Sequence, residues 1–191
     1  MKSTLKTIGF LSIIPLLICL IFFSNIKGYF RFQHYCEAEG GLRVYEKLER
    51  NVGVMVDSYD SAQIATQLKY VDFARFQDRK NNQLYDLHYA GGDPQILKSY
   101  IVKPADNSKK TTYFFKNISY FLKDERNLFR SAYLITDMSG TNTLVRYYKF
   151  EYLLFIGPLD SRSTKSCFTE GGRSTSDIAR WRKDFKNAFK N

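Results

Sequence analysis

Cysteine and histidine are the residues of this 191-residue chain whose chemistry could support metal binding, nucleophilic catalysis or disulfide formation. Cys19 lies inside a long apolar run, which leaves Cys36 and Cys167 in the rest of the chain. His34 and His88 occur in no His-Glu-x-x-His pattern. His34 and Cys36 together supply only two of the four ligands of a structural zinc site. Ordinary structural roles are therefore favoured for both histidines, and we expect no metal and no cofactor.

Cys36 and Cys167 stand near the two ends of the region that follows the apolar run. An even pair of cysteines in a chain sent to the membrane predicts a disulfide. In the chain-entropy model, closing a loop of about 130 residues would stabilise the fold by about 3–5 kcal/mol. The alternative is two unrelated buried thiols, because the sequence does not show that the two Cα atoms lie within bonding distance.

Catalytic motifs are not found in the sequence. It has no Gly-x-Ser-x-Gly elbow, no Walker loop and no Gly-x-Gly-x-x-Gly loop. The loop Gly171-Gly172-Arg173 could hold an anion at a helix N-terminus, but a plain turn is the favoured interpretation. The sequence therefore leans away from an enzyme, and we assign no catalytic residue.

Residues from Thr7 to Ile26 carry no charge and could span about 30 Å as a helix, which is the thickness of the hydrocarbon layer. Phe22-Phe23-Ser24 is a poor cleavage site, so a retained signal anchor is favoured over a cleaved signal peptide. We predict a membrane anchor over residues 1–28 and one soluble α+β domain over residues 29–191. Basic residues on both flanks orient the helix only weakly, and the paired cysteines favour a periplasmic domain at the inner membrane.

Tyrosine and phenylalanine are abundant, with 14 and 16 copies, and favour β-sheet. Val52, Val54 and Val56 alternate with less apolar residues, as in a half-buried strand. A helix is predicted from Ser61, because Ile64, Leu68 and Val71 follow at helical spacing. A long hairpin joins Leu128–Thr136 to Thr143–Ile156. One face of its second arm is apolar apart from Arg146. Further predicted strands are 42–45, 96–102 and 112–122. The predicted fold class is α+β: an N-terminal transmembrane helix, then a mainly antiparallel sheet with one or two packed helices.

The last predicted helix runs from Ser174 to Phe189 and is amphipathic. Its apolar stripe could pack on the sheet, lie on an anionic membrane or fill a partner's groove, and packing is favoured. The candidate membrane or partner contacts are Trp181, Phe185, Phe189, Arg180, Arg182, Lys183 and Lys186.

The segment Cys36-Glu37-Ala38-Glu39-Gly40-Gly41-Leu42-Arg43-Val44-Tyr45, directly after an apolar helix, resembles the opening of small uncharacterised bacterial membrane-anchored proteins. The later segments 144–150 and 163–167 are similar to the end of that pattern. The resemblance covers the two ends of the domain. It implies a bacterial, Gram-negative source and a paired-cysteine arrangement, and it implies no activity.

The net charge of +10 favours anionic partners without choosing among them. Three function classes remain open. The favoured one is a non-catalytic, membrane-anchored periplasmic domain that binds another protein or the cell envelope. The alternatives are an envelope enzyme with an unrecognised site, and a cytoplasm-facing basic domain that binds nucleic acid or lipid. The sequence contains no nucleic-acid module signature, which argues against nucleic acid.

Overall fold

The computed structural model describes residues 23, 26–93, 96, 99–123, 125, 127–154, 163–167 and 183–190. Within these ranges the helices are α1, residues 26–38, and α2, Tyr59–Thr66. Residues 183–185 are also helical and continue into a short 3₁₀ turn, Lys186–Ala188. The strands are β1 (Gly41–Val44), β2 (Val52–Val56), β3 (Val71–Gln77), β4 (Leu84–Tyr89), β5 (Tyr100–Pro104), β6 (Thr111–Phe121), β7 (Leu128–Thr136), β8 (Thr143–Leu154) and β9 (Ser163–Ser166).

These strands form one mixed sheet in the order β1-β8-β7-β6-β2-β3-β4-β5, and β9 also pairs with β8. β2 lies near the middle and runs parallel to both of its neighbours, β3 and β6. The other pairs are antiparallel. The predicted fold class was therefore wrong, because the sheet is mixed and strands outweigh helices in the described chain.

The parallel pair of β2 and β3 arises from a short β-α-β crossover through α2. Ser58 caps this helix, accepting a hydrogen bond from the backbone N–H of Ser61 at 3.2 Å. Thr66 ends the helix, and β3 starts at Val71. A helix between two strands returns the chain to the same end of the sheet, so the second strand runs parallel to the first.

A buried ion pair holds the second crossover, which leads from β5 to β6. The Arg75 guanidinium donates to both carboxylate oxygens of Asp86, at 2.6 and 2.8 Å. It also donates to the carbonyl oxygens of Asp106, at 2.7 Å, and Lys109, at 3.2 Å. The hydrogen bond to Asp86 raises the pKa of Arg75 above its ordinary value. The loop between β5 and β6 is thereby fixed against β3 and β4.

The main core lies on the face of the sheet that α2 covers. β2 contributes Val54 and Val56, with 1% and 4% exposure. The other buried apolar residues of the main core are Leu48, Ala62, Ala65, Leu68, Val71, Ala74, Phe76, Leu87, Tyr100, Phe115, Ile135, Val145, Tyr147, Phe185, Ala188 and Phe189. Residues distant in sequence meet here, so this face ties the sheet into one unit.

A smaller cluster, the disulfide-side cluster, packs α1 against the opposite face. Its buried members are Phe32, Leu128, Phe150 and Tyr152. Partly buried residues around it include both Cys36 and Cys167. The hairpin of β7 and β8 therefore contributes side chains to both faces, as the two-residue period of a strand requires.

The predicted membrane anchor over Thr7–Ile26 lies outside the described residues, apart from Phe23 and Ile26. No helix among the described residues has the length and apolar character needed to cross a membrane. Helix α1, at residues 26–38, extends across the predicted boundary between residues 28 and 29. In the predicted C-terminal helix, Ser174–Phe189, residues 174–182 lie outside the described residues. Residues 183–185 are helical, as predicted, and the helix gives way to the 3₁₀ turn at Lys186.

Candidate functional site

The predicted disulfide between Cys36 and Cys167 is confirmed, with a Cα–Cα distance of 5.3 Å. β1 and β9 pair with successive parts of one edge of β8. Cys36 lies on α1, just before β1, and Cys167 directly follows β9. The backbone N–H of Cys167 donates to the carbonyl of Phe150 at 3.2 Å. The bond therefore fastens α1 over the junction of three strands.

The C-terminal candidates divide into buried and exposed side chains. Phe185 and Phe189 are 1% and 2% exposed, within the main core. Their rings lie 6.1 Å from Tyr147 and 5.2 Å from Tyr70. These two phenylalanines pack on the domain rather than presenting a contact surface. Lys183 and Lys186 are exposed, and Trp181, Arg180 and Arg182 lie outside the described residues.

The histidines lie on separate elements, His34 on α1 and His88 on β4. His88 Nδ1 lies 3.0 Å from the carbonyl oxygen of Asp72. In the described parts of the chain, no three His, Cys, Asp or Glu side chains are grouped so that they could hold a metal ion.

A cluster that the sequence did not single out lies on the α1 side of the sheet. We call Arg43, Arg130, Arg146, Tyr148 and Lys116 the arginine–tyrosine patch. The guanidinium carbon of Arg146 lies 4.3 Å from the Tyr148 ring centroid, and that of Arg130 lies 4.8 Å from the same centroid. Both distances are within the range of cation–π contact.

Strand register aligns three basic residues of this patch in one row. Arg43 is directly opposite Arg146, which is opposite Leu134, which in turn is opposite Lys116. Directly opposed residues of antiparallel strands lie on the same face, and like charges there are destabilising. The row therefore concentrates positive charge at a cost in folding energy.

Two contacts hold the edges of the patch. Arg130 pairs with Glu39 at 3.0 Å, and Arg43 donates to the carbonyl of Ala38, at the C-terminal end of α1. Among the described residues, Glu39 is the only carboxylate in an ion pair with the patch. The buried Nε atoms of Arg130 and Arg146 have no hydrogen-bond partner among the residues that the structure describes.

A shallow cavity of about 260 Å³ opens beside Arg146. Its lining is Tyr45, Leu134, Thr143, Arg146 and Tyr148. It therefore combines a guanidinium with tyrosine and threonine hydroxyls, which are groups that bind anionic oxygens.

Cavities of about 280 and 310 Å³ lie at the N-terminal end of α2. Two polar residues of the larger cavity, Asp57 and Ser58, are engaged by Ser61: the Ser61 hydroxyl donates to Asp57 at 2.7 Å, and the Ser58 hydroxyl donates to Ser61 at 2.9 Å. These bonds cap and fix the helix, so this region is a weaker candidate than the arginine–tyrosine patch.

One sequence signal pointed toward the patch. Arg146 is the polar member of the aromatic face of the second hairpin arm, and a charge in such a row requires a partner or a function. Arg130 and Arg43 join it only through strand pairing, which the sequence does not specify. No protein-family model, curated protein or solved structure matches this chain.

Proposed function

We propose that this chain is a non-catalytic binding domain that works outside the cytoplasm and holds another protein of the cell envelope. The observation that carries the proposal is the arginine–tyrosine patch, a fixed, positively charged and aromatic surface on one face of the sheet. Arginine and tyrosine are enriched at protein interfaces, where they contribute much of the binding energy.

The disulfide supports a location outside the cytoplasm. Disulfides persist in oxidising compartments such as the bacterial periplasm and are rare in the reducing cytosol. A structural bond that fastens α1 to the sheet needs such a compartment. Placement at the inner membrane remains a prediction from the apolar sequence of residues 7–26. A reporter active only outside the cytoplasm, fused after Asn191, should be active, and activity of a cytoplasm-only reporter would contradict this location.

The binding role can be tested in cells with a photo-crosslinking amino acid placed on the patch face. Ile118 is suited to this, because it is 39% exposed and lies in the same register row as Ala132 and Tyr148. Ile101, 45% exposed on the edge strand β5, is the matched control position.

We expect a discrete protein adduct, identified by mass spectrometry, from position 118 and not from position 101. Equal adducts from both positions, or no protein adduct from either, would contradict a binding role for this face.

A further inference from the structure

We propose that Arg146, stacked on Tyr148 beside Arg130, forms a carboxylate-binding site that receives an acidic side chain from a segment of a partner protein. This inference rests on the proposed binding function and names the chemistry of the partner. It depends on the charge, the rigidity, the size and the surroundings of the site.

The charge of Arg146 is not neutralised within the described chain. Arg130 pairs with Glu39, whereas Arg146 makes no ion pair with any described residue. Arg146 instead faces Arg43 across the strand pair. Placing like charges opposite each other costs folding energy, and an incoming carboxylate would relieve that cost.

The guanidinium groups are held in place before any ligand arrives. Tyr148 contacts both Arg130 and Arg146 through its ring, and Arg130 also lies 5.0 Å from the Tyr120 ring centroid. Stacking fixes the plane of a guanidinium, whose planar set of donors matches a carboxylate in a two-pronged hydrogen bond. A site arranged in advance loses less entropy on binding.

The cavity beside Arg146 suits one side chain rather than a large ligand. Its volume of about 260 Å³ falls below the range of about 300–1,000 Å³ that is typical of small-molecule sites. Thr143 and Tyr45 lie at its wall and add hydroxyl groups that can donate to a second carboxylate oxygen.

The surroundings of the site favour a protein segment as its occupant. Ile118 and Tyr120, both 39% exposed, lie on the same face. Apolar and aromatic groups around a central charged anchor are typical of a protein interface. Charge complementarity selects an acidic segment, because the patch joins several cations to one carboxylate.

The test uses the full-length chain in detergent, with its disulfide intact, and a fluorescent 20-residue oligoglutamate as probe. Binding is followed by fluorescence anisotropy, with oligoglutamine as the uncharged control. The variants are Arg146→Gln, Arg146→Lys and the matched control Arg79→Gln, which removes an exposed arginine from the β3–β4 loop. Circular dichroism and melting temperature verify that each variant folds.

We expect oligoglutamate to bind and oligoglutamine not to bind. Arg146→Gln should weaken binding by about tenfold or more, because a charge-assisted hydrogen bond is lost. Arg146→Lys keeps the charge but loses the planar set of donors, so its affinity for oligoglutamate should lie between those of the parent chain and Arg146→Gln. Arg79→Gln should bind oligoglutamate like the parent chain. An equal loss in Arg79→Gln and Arg146→Gln would show attraction by net charge alone and overturn the site.

Two further titrations distinguish an acidic protein segment from other anionic partners. Phosphatidylglycerol vesicles and a 20-nucleotide single-stranded DNA are titrated under the same salt conditions. Tighter, Arg146-dependent binding of either one than of oligoglutamate would overturn the acidic-segment proposal. The crosslinking experiment separates the two proposals. If a protein is crosslinked at position 118 equally in the parent chain and in Arg146→Gln, the binding function is supported and the carboxylate site is contradicted. If oligoglutamate binding depends on Arg146 but no protein is crosslinked in cells, the carboxylate chemistry is supported and the proposed function is contradicted.

Discussion

The two faces of the sheet are stabilised in different ways. The main core on the α2 face contains 18 buried apolar residues among those described, whereas the disulfide-side cluster on the α1 face contains four and carries the disulfide. Apolar burial contributes in proportion to area, so a small cluster supplies much less stability than a large one. A covalent bond compensates for a small core, as it does in small secreted domains. The arginine–tyrosine patch lies on the weaker face, where the surface is left open.

The largest expected effect comes from the main core. Phe115 is 0% exposed on β6, and Phe115→Ala should lower the free energy of unfolding by about 3–5 kcal/mol, through lost burial and a cavity. Denaturant unfolding with the disulfide intact measures the loss. Phe32→Ala, on α1, should cost less, because Phe32 packs in the smaller cluster. Equal losses would show that the two faces do not differ as described.

The disulfide is the second way to separate the faces. Cys36→Ser and Cys167→Ser should each lower the free energy of unfolding by about 2–5 kcal/mol. The double variant should be no worse than either single one, because a shared bond can be lost only once. Melting temperatures under oxidising conditions measure the effect.

Reduction provides the control for this comparison. A reductant should lower the melting temperature of the parent chain to that of the double cysteine variant. The loss caused by Phe115→Ala should remain in the reduced protein, since it arises on the other face. Mass spectrometry of the unreduced protein that shows thiols at both Cys36 and Cys167 would refute the bond itself.

Two glycines that pack closely against aromatic side chains should give a smaller difference in stability. A Cβ at Gly53 would lie 2.1 Å from the Phe73 ring, and one at Gly28 would lie 2.4 Å from the Tyr152 hydroxyl. We expect Gly53→Ala to cost about 1–3 kcal/mol through overpacking. Gly28→Ala should lower the free energy of unfolding by less. Gly28 lies on α1, and alanine stabilises a helix by about 1 kcal/mol relative to glycine. Chemical denaturation compares the two, and a larger loss at Gly28 would reverse the argument.

Local patterns in the sequence predicted part of the fold. The first arm of the hairpin, Leu128–Thr136, matches β7, and the second matches β8 over Thr143–Leu154, while residues 155 and 156 lie outside the described residues. The valines of β2 are buried as predicted, but Gly53 between them is buried as well, so the strand is buried on both faces rather than half-buried. These features depend on neighbouring residues and on a short loop, so the sequence carries them directly.

Long-range pairing could not be predicted in the same way. β3 was missed because Val71 was assigned to the preceding helix, although it begins a strand. Because β3 was not predicted, neither the β-α-β crossover nor the parallel direction of β2 could be predicted. The arginine–tyrosine patch has the same origin, since Arg43, Arg130 and Arg146 meet only through the pairing of β1, β8 and β7.

The smallest expected effect lies in the loop between β7 and β8, which serves both faces. The Ser139 hydroxyl donates to Asp137 at 2.7 Å and is the main cause that lowers the pKa of Asp137 to about 2. The Asn142 side chain also donates to Asp137, at 2.7 Å. A lowered pKa in the folded state means that Asp137 stabilises the fold above its ordinary pKa of 3.8, and that this stabilisation is lost as the pH falls toward 2.

Asp137→Ala should therefore lower the melting temperature slightly at pH 6, and the gap to the parent chain should narrow between pH 4 and pH 2. Because β7 and β8 contribute to both faces, the substitution should raise amide exchange equally in the main core and in the disulfide-side cluster. Hydrogen exchange measured by mass spectrometry, region by region, tests this. An increase confined to one face would show that the hairpin does not couple the two regions, and a gap independent of pH would exclude the Asp137 carboxylate as its cause.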